Sequence, residues 1–267
     1  MATNLDTYLP FPDSPQTYKD VCVKAGTDGS QYDPFPSPPA TYESGYTGGC
    51  SRNPKSNLVY ESELQVLPDP ALAAGRGKVV KHYPLPSYPA FAPGNNQFEH
   101  HGFIFLNFSC PGGNCWFGGL YYFPKPVPSN ATHDLNIMGA QGTASGGYLV
   151  TLTRAGKLRL YGDSSQNGIP IVFGRWISIR VQAPSADNSV RTLIVTDLEG
   201  NPLVPGQPTV STKTYPGGLA NVNRVKFGCG DELDEYDPLV YRQADFWWYQ
   251  DNMYVADQTA DPGVWQE

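Results

Sequence analysis

The chain has 267 residues, of which 40% are hydrophobic and only 16% charged, so its composition excludes an intrinsically disordered protein. The formal net charge is −7 and the 18 lysines and arginines are scattered, which argues against nucleic acid as a partner. No run approaches the roughly 18 apolar residues that a membrane-spanning helix needs. The 28 glycines and 26 prolines lie between short apolar runs, a pattern that opposes long helices.

Residues 1–56 differ in composition from the rest of the chain. They are rich in Pro, Tyr, Asp, Ser and Gly, as in Tyr32–Pro39, and have almost no periodic apolar pattern. Repeated X-Pro pairs favour extended and polyproline conformations, so we expect an extended arm packed on a domain formed by residues 57–267. A flexible tail is the alternative, although a solvated tail gains nothing from so many aromatic residues.

From residue 57 onwards, apolar and polar residues alternate with a period of two, which predicts β-strands. The predicted strands are Leu58–Val66, His101–Phe108, Cys115–Phe123, Tyr148–Thr153, Lys157–Tyr161, Trp176–Val181, Val190–Leu198, Val222–Phe227 and Phe246–Val255. Turn signals such as Ala155-Gly156 separate them, and no stretch has helical periodicity. The fold expected is all-β: a two-sheet antiparallel jelly-roll sandwich.

The succession of segments resembles the concanavalin A-like lectin and glucanase superfamily, which includes laminin G-like domains and jelly-roll polysaccharide lyases. Gly174–Val181 is similar to the superfamily's G-x-W-h-x-h-x-V strand, where h is hydrophobic, and Asp245–Val255 is similar to its final W-x-D-N-h-x-V strand. The resemblance covers about residues 57–257. It implies a jelly roll with a carbohydrate-holding groove on its concave sheet, and it concerns fold more than activity.

An acidic strand is the first candidate site. Glu61 and Glu63 are two residues apart, so both project from one face at about 6.5–7 Å, a spacing that suits the paired carboxylates of glycoside hydrolases. The glucanases of the superfamily carry an E-x-D-x-E strand that this sequence lacks. The alternative is a solvated face of a half-buried strand.

The resemblance to jelly-roll lyases implies a second site. Such lyases use Tyr or His as the base that abstracts a proton, with Arg, Gln or Asn neutralising the substrate's acid. His101 and Tyr121 are the candidate catalytic residues. The candidate ligand-binding residues are Gln65, Tyr122, Lys125, Arg180, Lys226 and Trp248. The arginines that flank the lyases' S-E-L strand are absent here, and histidines packed against aromatic residues are the alternative.

Trp247, Trp248 and Tyr249 are consecutive, so on a strand they cannot all face the core. One of the two tryptophans is therefore expected to face a groove, the arm or a partner; Trp248 is the candidate for sugar stacking. The superfamily resemblance also implies a structural calcium ion bound by an acid of the final strand, here Asp251. A solvated acid is the alternative.

Five cysteines leave at least one thiol unpaired in a monomer, and the spacing of Cys110 and Cys115 suits a disulfide across a tight loop. No secretory signal is visible at the N-terminus. We expect an extracellular or virion-surface location, with the signal removed or another route of export.

These features together predict a non-catalytic glycan-binding or structural surface module, for example in a virion or extracellular assembly. Its partners would be a carbohydrate polymer or glycan and, through the arm, a further copy or an assembly partner. The alternative is a polysaccharide lyase, ahead of a glycoside hydrolase, that acts in the groove of the concave sheet. A laminin G-like protein-binding domain is a third interpretation.

Overall fold

The computed structural model describes residues 2–4, 41–42, 46–48, 51–52, 59–60, 63–68, 78–83, 99–107, 114–131, 134–142, 146–163, 168–184, 190–214, 222, 224–232, 246–257 and 260–264. Before residue 114 the description is that of the strand backbone. No helix in these ranges has the length and apolar character needed to cross a bilayer.

The described elements are all β-strands. They are β1 Ala2–Asn4, β2 Thr41–Tyr42, β3 Tyr46–Gly48, β4 Ser51–Arg52, β5 Val59–Tyr60, β6 Glu63–Pro68, β7 Lys78–Tyr83, β8 Glu99–Asn107, β9 Asn114–Tyr122, β10 Leu135–Gln141, β11 Gly146–Leu152, β12 Lys157–Leu160, β13 Ile169–Pro170, β14 Trp176–Pro184, β15 Val190–Thr196, β16 Val210–Thr214, β17 Arg224–Glu232 and β18 Trp248–Asp257.

Two antiparallel sheets contain nearly all of these strands. Sheet A has the order β16-β15-β14-β9-β18-β7-β6, and β1 also pairs with β18. Sheet B has the order β13-β12-β11-β10-β17-β8-β3-β2. Strands β4 and β5 form a separate two-stranded sheet. The predicted all-β, two-sheet antiparallel sandwich is confirmed.

The core lies between the two sheets and follows the alternation of each strand. In β14, Ile177, Ile179 and Val181 are fully buried in the core, while Ser178 and Arg180 lie on the opposite side of the strand. Successive side chains of a strand point to opposite faces, so one strand supplies both the core and the outer surface of sheet A. Facing residues of sheet B, such as Val225 and Phe227 of β17 and Val150 and Leu152 of β11, close the core.

A β-bulge in β18 changes this alternation. The register between β18 and β9 shifts between Asp251 and Tyr254, and Asn252 has a φ of 44°. Asn is one of the few residues other than Gly that adopt this left-handed conformation readily. A Cβ on Gly119 would lie 2.9 Å from the Asp251 carbonyl oxygen, so glycine makes room for the bulge. As a result Asp251 and Tyr254 both face away from the core, while Met253 packs in it.

The strand boundaries differ from the prediction in several places. The predicted strand Leu58–Val66 is divided into β5 and β6, and β17 extends to Glu232. Strands β7, β10, β13 and β16 were not predicted. Strand β1 pairs with β18 of sheet A and β3 pairs with β8 of sheet B, so residues before 57 add backbone pairing to both sheets. The division of the chain at residue 56 stays a prediction.

Candidate functional site

The face of sheet A that points away from sheet B, called the outer face below, carries a row of aromatic rings across three adjacent strands. Trp176 of β14 pairs with Tyr122 of β9, which pairs with Tyr249 of β18. The ring centroids are 5.6 Å apart for Trp176 and Tyr122 and 6.3 Å apart for Tyr122 and Tyr249. By backbone register the row continues to Lys81 of β7 and Gln65 of β6. We call the three rings the aromatic row.

A cation lies near this row. Lys125, just after β9, places its Nζ 4.5 Å from the ring centre of Trp247, which directly precedes β18. Both residues are partly exposed. A lysine over an indole ring is a favourable cation–π arrangement that leaves the ammonium accessible to water or a ligand.

Arg180 of β14 lies on the outer face, and its side chain is only 4% exposed. Its Nη1 donates hydrogen bonds to Ser178 Oγ at 2.8 Å and to Thr196 Oγ1 at 3.2 Å. Its Nε and Nη2 donate to the two carboxylate oxygens of Asp261 at 2.9 Å and 3.1 Å. The guanidinium is therefore held by two hydroxyls and presents its forked edge to one carboxylate.

Asp261 belongs to a short irregular piece of chain, Ala260–Val264, that lies on the outer face and is called the C-terminal segment below. Val264 of the same segment packs against the cluster of Leu120 and Trp176. Tyr122 and Tyr249 pack against this cluster as well. The segment thus contacts both Arg180 and the apolar end of the outer face.

Tyr254 of β18 also lies on this face, interacts electrostatically with Arg180 and is almost fully buried. Burial raises the pKa of its phenol well above the usual value; the charge of Arg180 lowers it in part, and Asp261 raises it. Tyr254 pairs in register with Gly118, which pairs on its other side with Arg180. A Cβ on Gly118 would clash with the backbone oxygen of Ile179, so glycine permits the close approach of β9 and β14. The phenol is therefore protonated at neutral pH.

Asp251, the predicted calcium ligand, lies on the outer face opposite Leu120 and is buried. Its Oδ1 accepts a hydrogen bond from the backbone N–H of Asn252 at 2.9 Å. Among the side chains that the structure describes, no three His, Cys, Asp or Glu residues come together as a metal site. A calcium site at Asp251 stays a prediction.

Two of the predicted site residues lie in the core. Tyr121 is fully buried, its hydroxyl accepts a hydrogen bond from Gln250 Nε2 at 2.8 Å, and burial raises the pKa of its phenol well above the usual value. Trp248 is 0% exposed and its ring lies 6.1 Å from that of Phe123 and 6.3 Å from that of Phe246. The alternation that places Tyr122 and Tyr249 on the outer face places Tyr121 and Trp248 inside, so neither faces a groove.

The remaining predicted residues are divided between the two sheets. His101 of β8 pairs with Gly230, and Lys226 of β17 pairs with Phe105, both in sheet B. Glu63 and Gln65 lie in β6 of sheet A, whereas Glu61 lies outside the described residues. The backbone therefore assigns the proposed base His101 and the proposed base Tyr121 to different sheets. It assigns to one sheet the predicted residues Gln65, Tyr122, Arg180 and Asp251.

Three residues of the outer face were not among the residues predicted from the sequence: Trp176, Tyr249 and Asp261. Trp176 has the same parity as Ser178 and Arg180 in β14, so the alternation of that strand was a signal that could have found it. Asp261 is 81 residues from Arg180 and has no local signal.

No protein-family model matches the chain, and no curated protein matches it either. Among solved structures, the chain is similar to the cellulose induced protein Cip1, with 14% identity over 80% of this chain and 93% of that one and a TM-score of 0.46. It is similar to a marine PL-14 alginate lyase from Aplysia kurodai, with 12% identity over 72% of this chain and 86% of that one and a TM-score of 0.43. The receptor binding domain of botulinum neurotoxin mosaic serotype C/D has 11% identity over 79% of this chain and a TM-score of 0.38; this chain spans about half of its length, 48%. The two-sheet antiparallel sandwich rests on the strand order of the chain itself, and the superfamily resemblance stays a prediction from the sequence.

Proposed function

We propose that this chain is a carbohydrate-binding module that holds an extended glycan on the outer face of sheet A. The observation that carries the proposal is the aromatic row of Trp176, Tyr122 and Tyr249. Tyr122 and Tyr249 are partly exposed on the side of the sheet that does not form the core. Aromatic rings offer a flat apolar surface to the C–H face of a sugar, and a tyrosine hydroxyl adds a polar end.

The geometry of the row suits a chain-like ligand. Neighbouring strands of a sheet are about 4.8 Å apart, so the three rings lie in a line of roughly 10 Å across the sheet. Tyr122 and Tyr249 are partly exposed, whereas Trp176 at one end of the line is only 6% exposed. Lys125 and Trp247 lie at the ends of strands β9 and β18, beside this line. An oligosaccharide laid along the row would meet rings below and polar groups at the side, which is the usual composition of a ligand site.

The protonated phenol of Tyr254 and the ion pair of Arg180 favour binding without catalysis. The alternative, a polysaccharide lyase, is supported by Tyr254 next to Arg180, because such enzymes need a base beside a cation. A general base works best when its pKa lies near the working pH, but burial raises the pKa of the Tyr254 phenol well above its usual value. In this structure the charge of Arg180 is balanced by Asp261.

Affinity electrophoresis against a set of neutral and acidic polysaccharides, followed by calorimetry, tests the proposal. We expect Tyr249→Ala and Tyr122→Ala each to weaken binding about tenfold, a loss of about 1.4 kcal/mol. Val210→Ala is the matched control, because Val210 is an exposed apolar residue at the edge strand of the same sheet, away from the row.

Wild-type affinity in both tyrosine variants, or an equal loss in Val210→Ala, would overturn the proposed face. The lyase alternative has its own readout, which is absorbance of an unsaturated product. An activity that Tyr254→Phe abolishes would favour the enzyme over the binding module. An extracellular or virion-surface location and assembly through the arm remain further proposals.

A further inference from the structure

We propose that Arg180 is the centre of a carboxylate-binding subsite on the outer face, and that the C-terminal segment fills this subsite until an acidic glycan displaces it. The inference rests on the proposed carbohydrate-binding function and names the class of glycan, one that carries carboxylate groups. It makes Asp261 an internal competitor of the ligand.

The guanidinium of Arg180 is held in place before any ligand carboxylate arrives. Ser178 Oγ and Thr196 Oγ1 accept hydrogen bonds from the same nitrogen of Arg180, and both hydroxyls belong to regular strands of sheet A. They fix the orientation of the guanidinium without using Nε or Nη2. Those two nitrogens form the edge that binds a planar carboxylate with two parallel hydrogen bonds.

Arg180 and Asp261 differ in burial and in the kind of structure that holds them. The side chain of Arg180 is 4% exposed, whereas that of Asp261 is 29% exposed and belongs to a piece of chain outside regular structure. Of the hydrogen bonds that Asp261 accepts, one is local, from the N–H of Gly263 at 3.1 Å. The cation is built into the sheet, and the anion is brought to it by a segment that the sheet does not contain.

We therefore expect a ligand carboxylate to replace that of Asp261 at Arg180, and we do not expect the C-terminal segment to leave Arg180 without a partner. A buried guanidinium that loses its carboxylate is left with an uncompensated charge, which is strongly unfavourable. A ligand carboxylate that takes the place of Asp261 keeps the fork satisfied, so the segment is released only when the ligand arrives. Release also removes Val264 from the cluster of Leu120 and Trp176 and exposes the end of the aromatic row.

Calorimetry on the full chain tests the competitor directly. The probes are oligomers of polygalacturonate and of polyglucuronate, each beside its methyl ester, which has the same sugars without the carboxylate charge. For the acidic probe that the wild type binds best, we expect Asp261→Asn to tighten binding about tenfold. We expect the affinity for the ester to change less than twofold. Arg180→Gln should abolish the preference for the acid over the ester.

Glu199→Gln is the matched control, because it removes one negative charge from an exposed residue that is not bonded to Arg180. The acid affinity of Asp261→Asn should exceed that of Glu199→Gln by about the same tenfold. Equal affinities in these two variants, with binding still lost in Tyr249→Ala, would overturn the inference and leave the proposed function standing. Absence of binding to every acidic and neutral glycan would overturn both.

Hydrogen exchange on the wild type gives a second readout that needs no substitution. Amides of residues 260–264 should exchange faster when the acidic probe is bound and at an unchanged rate with the ester. Unchanged exchange in this peptide with the acidic probe bound would contradict displacement, whatever the variants do.

Discussion

The two faces of sheet A are built from the same strands, but their buried polar side chains have different kinds of hydrogen-bond partner. On the core face, Tyr121 and Gln250 form a hydrogen bond between two adjacent strands, inside a surround of aliphatic and aromatic side chains. On the outer face, Arg180 is satisfied by Asp261, which comes from outside the sheet. A polar pair within the sheet cannot part without disrupting the fold, whereas the outer pair can exchange one partner.

The aromatic residues of β18 show the same difference. Trp248 packs with Phe123 and Phe246 in the core, while its neighbour Tyr249 contacts Tyr122 on the outer face. Adjacent positions of one strand therefore serve stability in one case and, as we propose, ligand binding in the other.

Replacing these two neighbours should separate the faces most strongly. Trp248→Ala removes a fully buried indole, and we expect a loss of about 3–5 kcal/mol in the free energy of unfolding. Tyr249→Ala removes a partly exposed ring, and we expect a loss of less than about 1 kcal/mol together with weaker glycan binding. Urea denaturation followed by fluorescence measures both, and similar losses for the two variants would erase the distinction.

Alkaline pH should produce a smaller effect that also distinguishes the faces. Burial raises the pKa of Tyr121 and of Tyr254 above the ordinary value of 10.0, so above pH 10 the unfolded chain releases protons that the folded chain retains. The free energy of unfolding should therefore fall as pH rises above about 10, by about 1.4 kcal/mol per pH unit for each buried tyrosine.

Replacing each tyrosine by phenylalanine shows which phenol causes the fall in the free energy of unfolding above pH 10. Tyr121→Phe should remove one tyrosine's share of the slope, and Tyr254→Phe should remove the other. A bound acidic glycan should leave the share of Tyr121 unchanged, because that residue lies in the core. An alkaline slope that neither substitution alters would show that other groups cause it.

Much of the fold could be predicted because most strands keep a strict alternation. In β14, the sequence Trp176–Val181 alternates apolar core residues with outer-face residues, and the structure follows it. Strand β10 was missed because register shifts near Met138 interrupt the period of two. Strand β16 was missed because it is an edge strand without a buried side, and its residues alternate only between partly and fully exposed.

The site was harder to predict because several strands carry aromatic residues on both faces. Tyr121 and Tyr122 are adjacent, as are Trp248 and Tyr249, so the pattern alone does not tell which ring points inward. The bulge at Asn252 then changes the parity within β18 and brings Tyr254 outward. These choices depend on packing against the second sheet, which a local pattern does not contain.

The most direct test of the glycan-binding face uses the indole N–H signals of the five tryptophans in a nuclear magnetic resonance titration with the glycan that the chain binds. The account predicts shifts for Trp176, which belongs to the aromatic row, and for Trp247 beside it, with the signal of the core residue Trp248 unmoved. Binding that is detected by calorimetry while the signals of Trp176 and Trp247 stay in place would contradict the account.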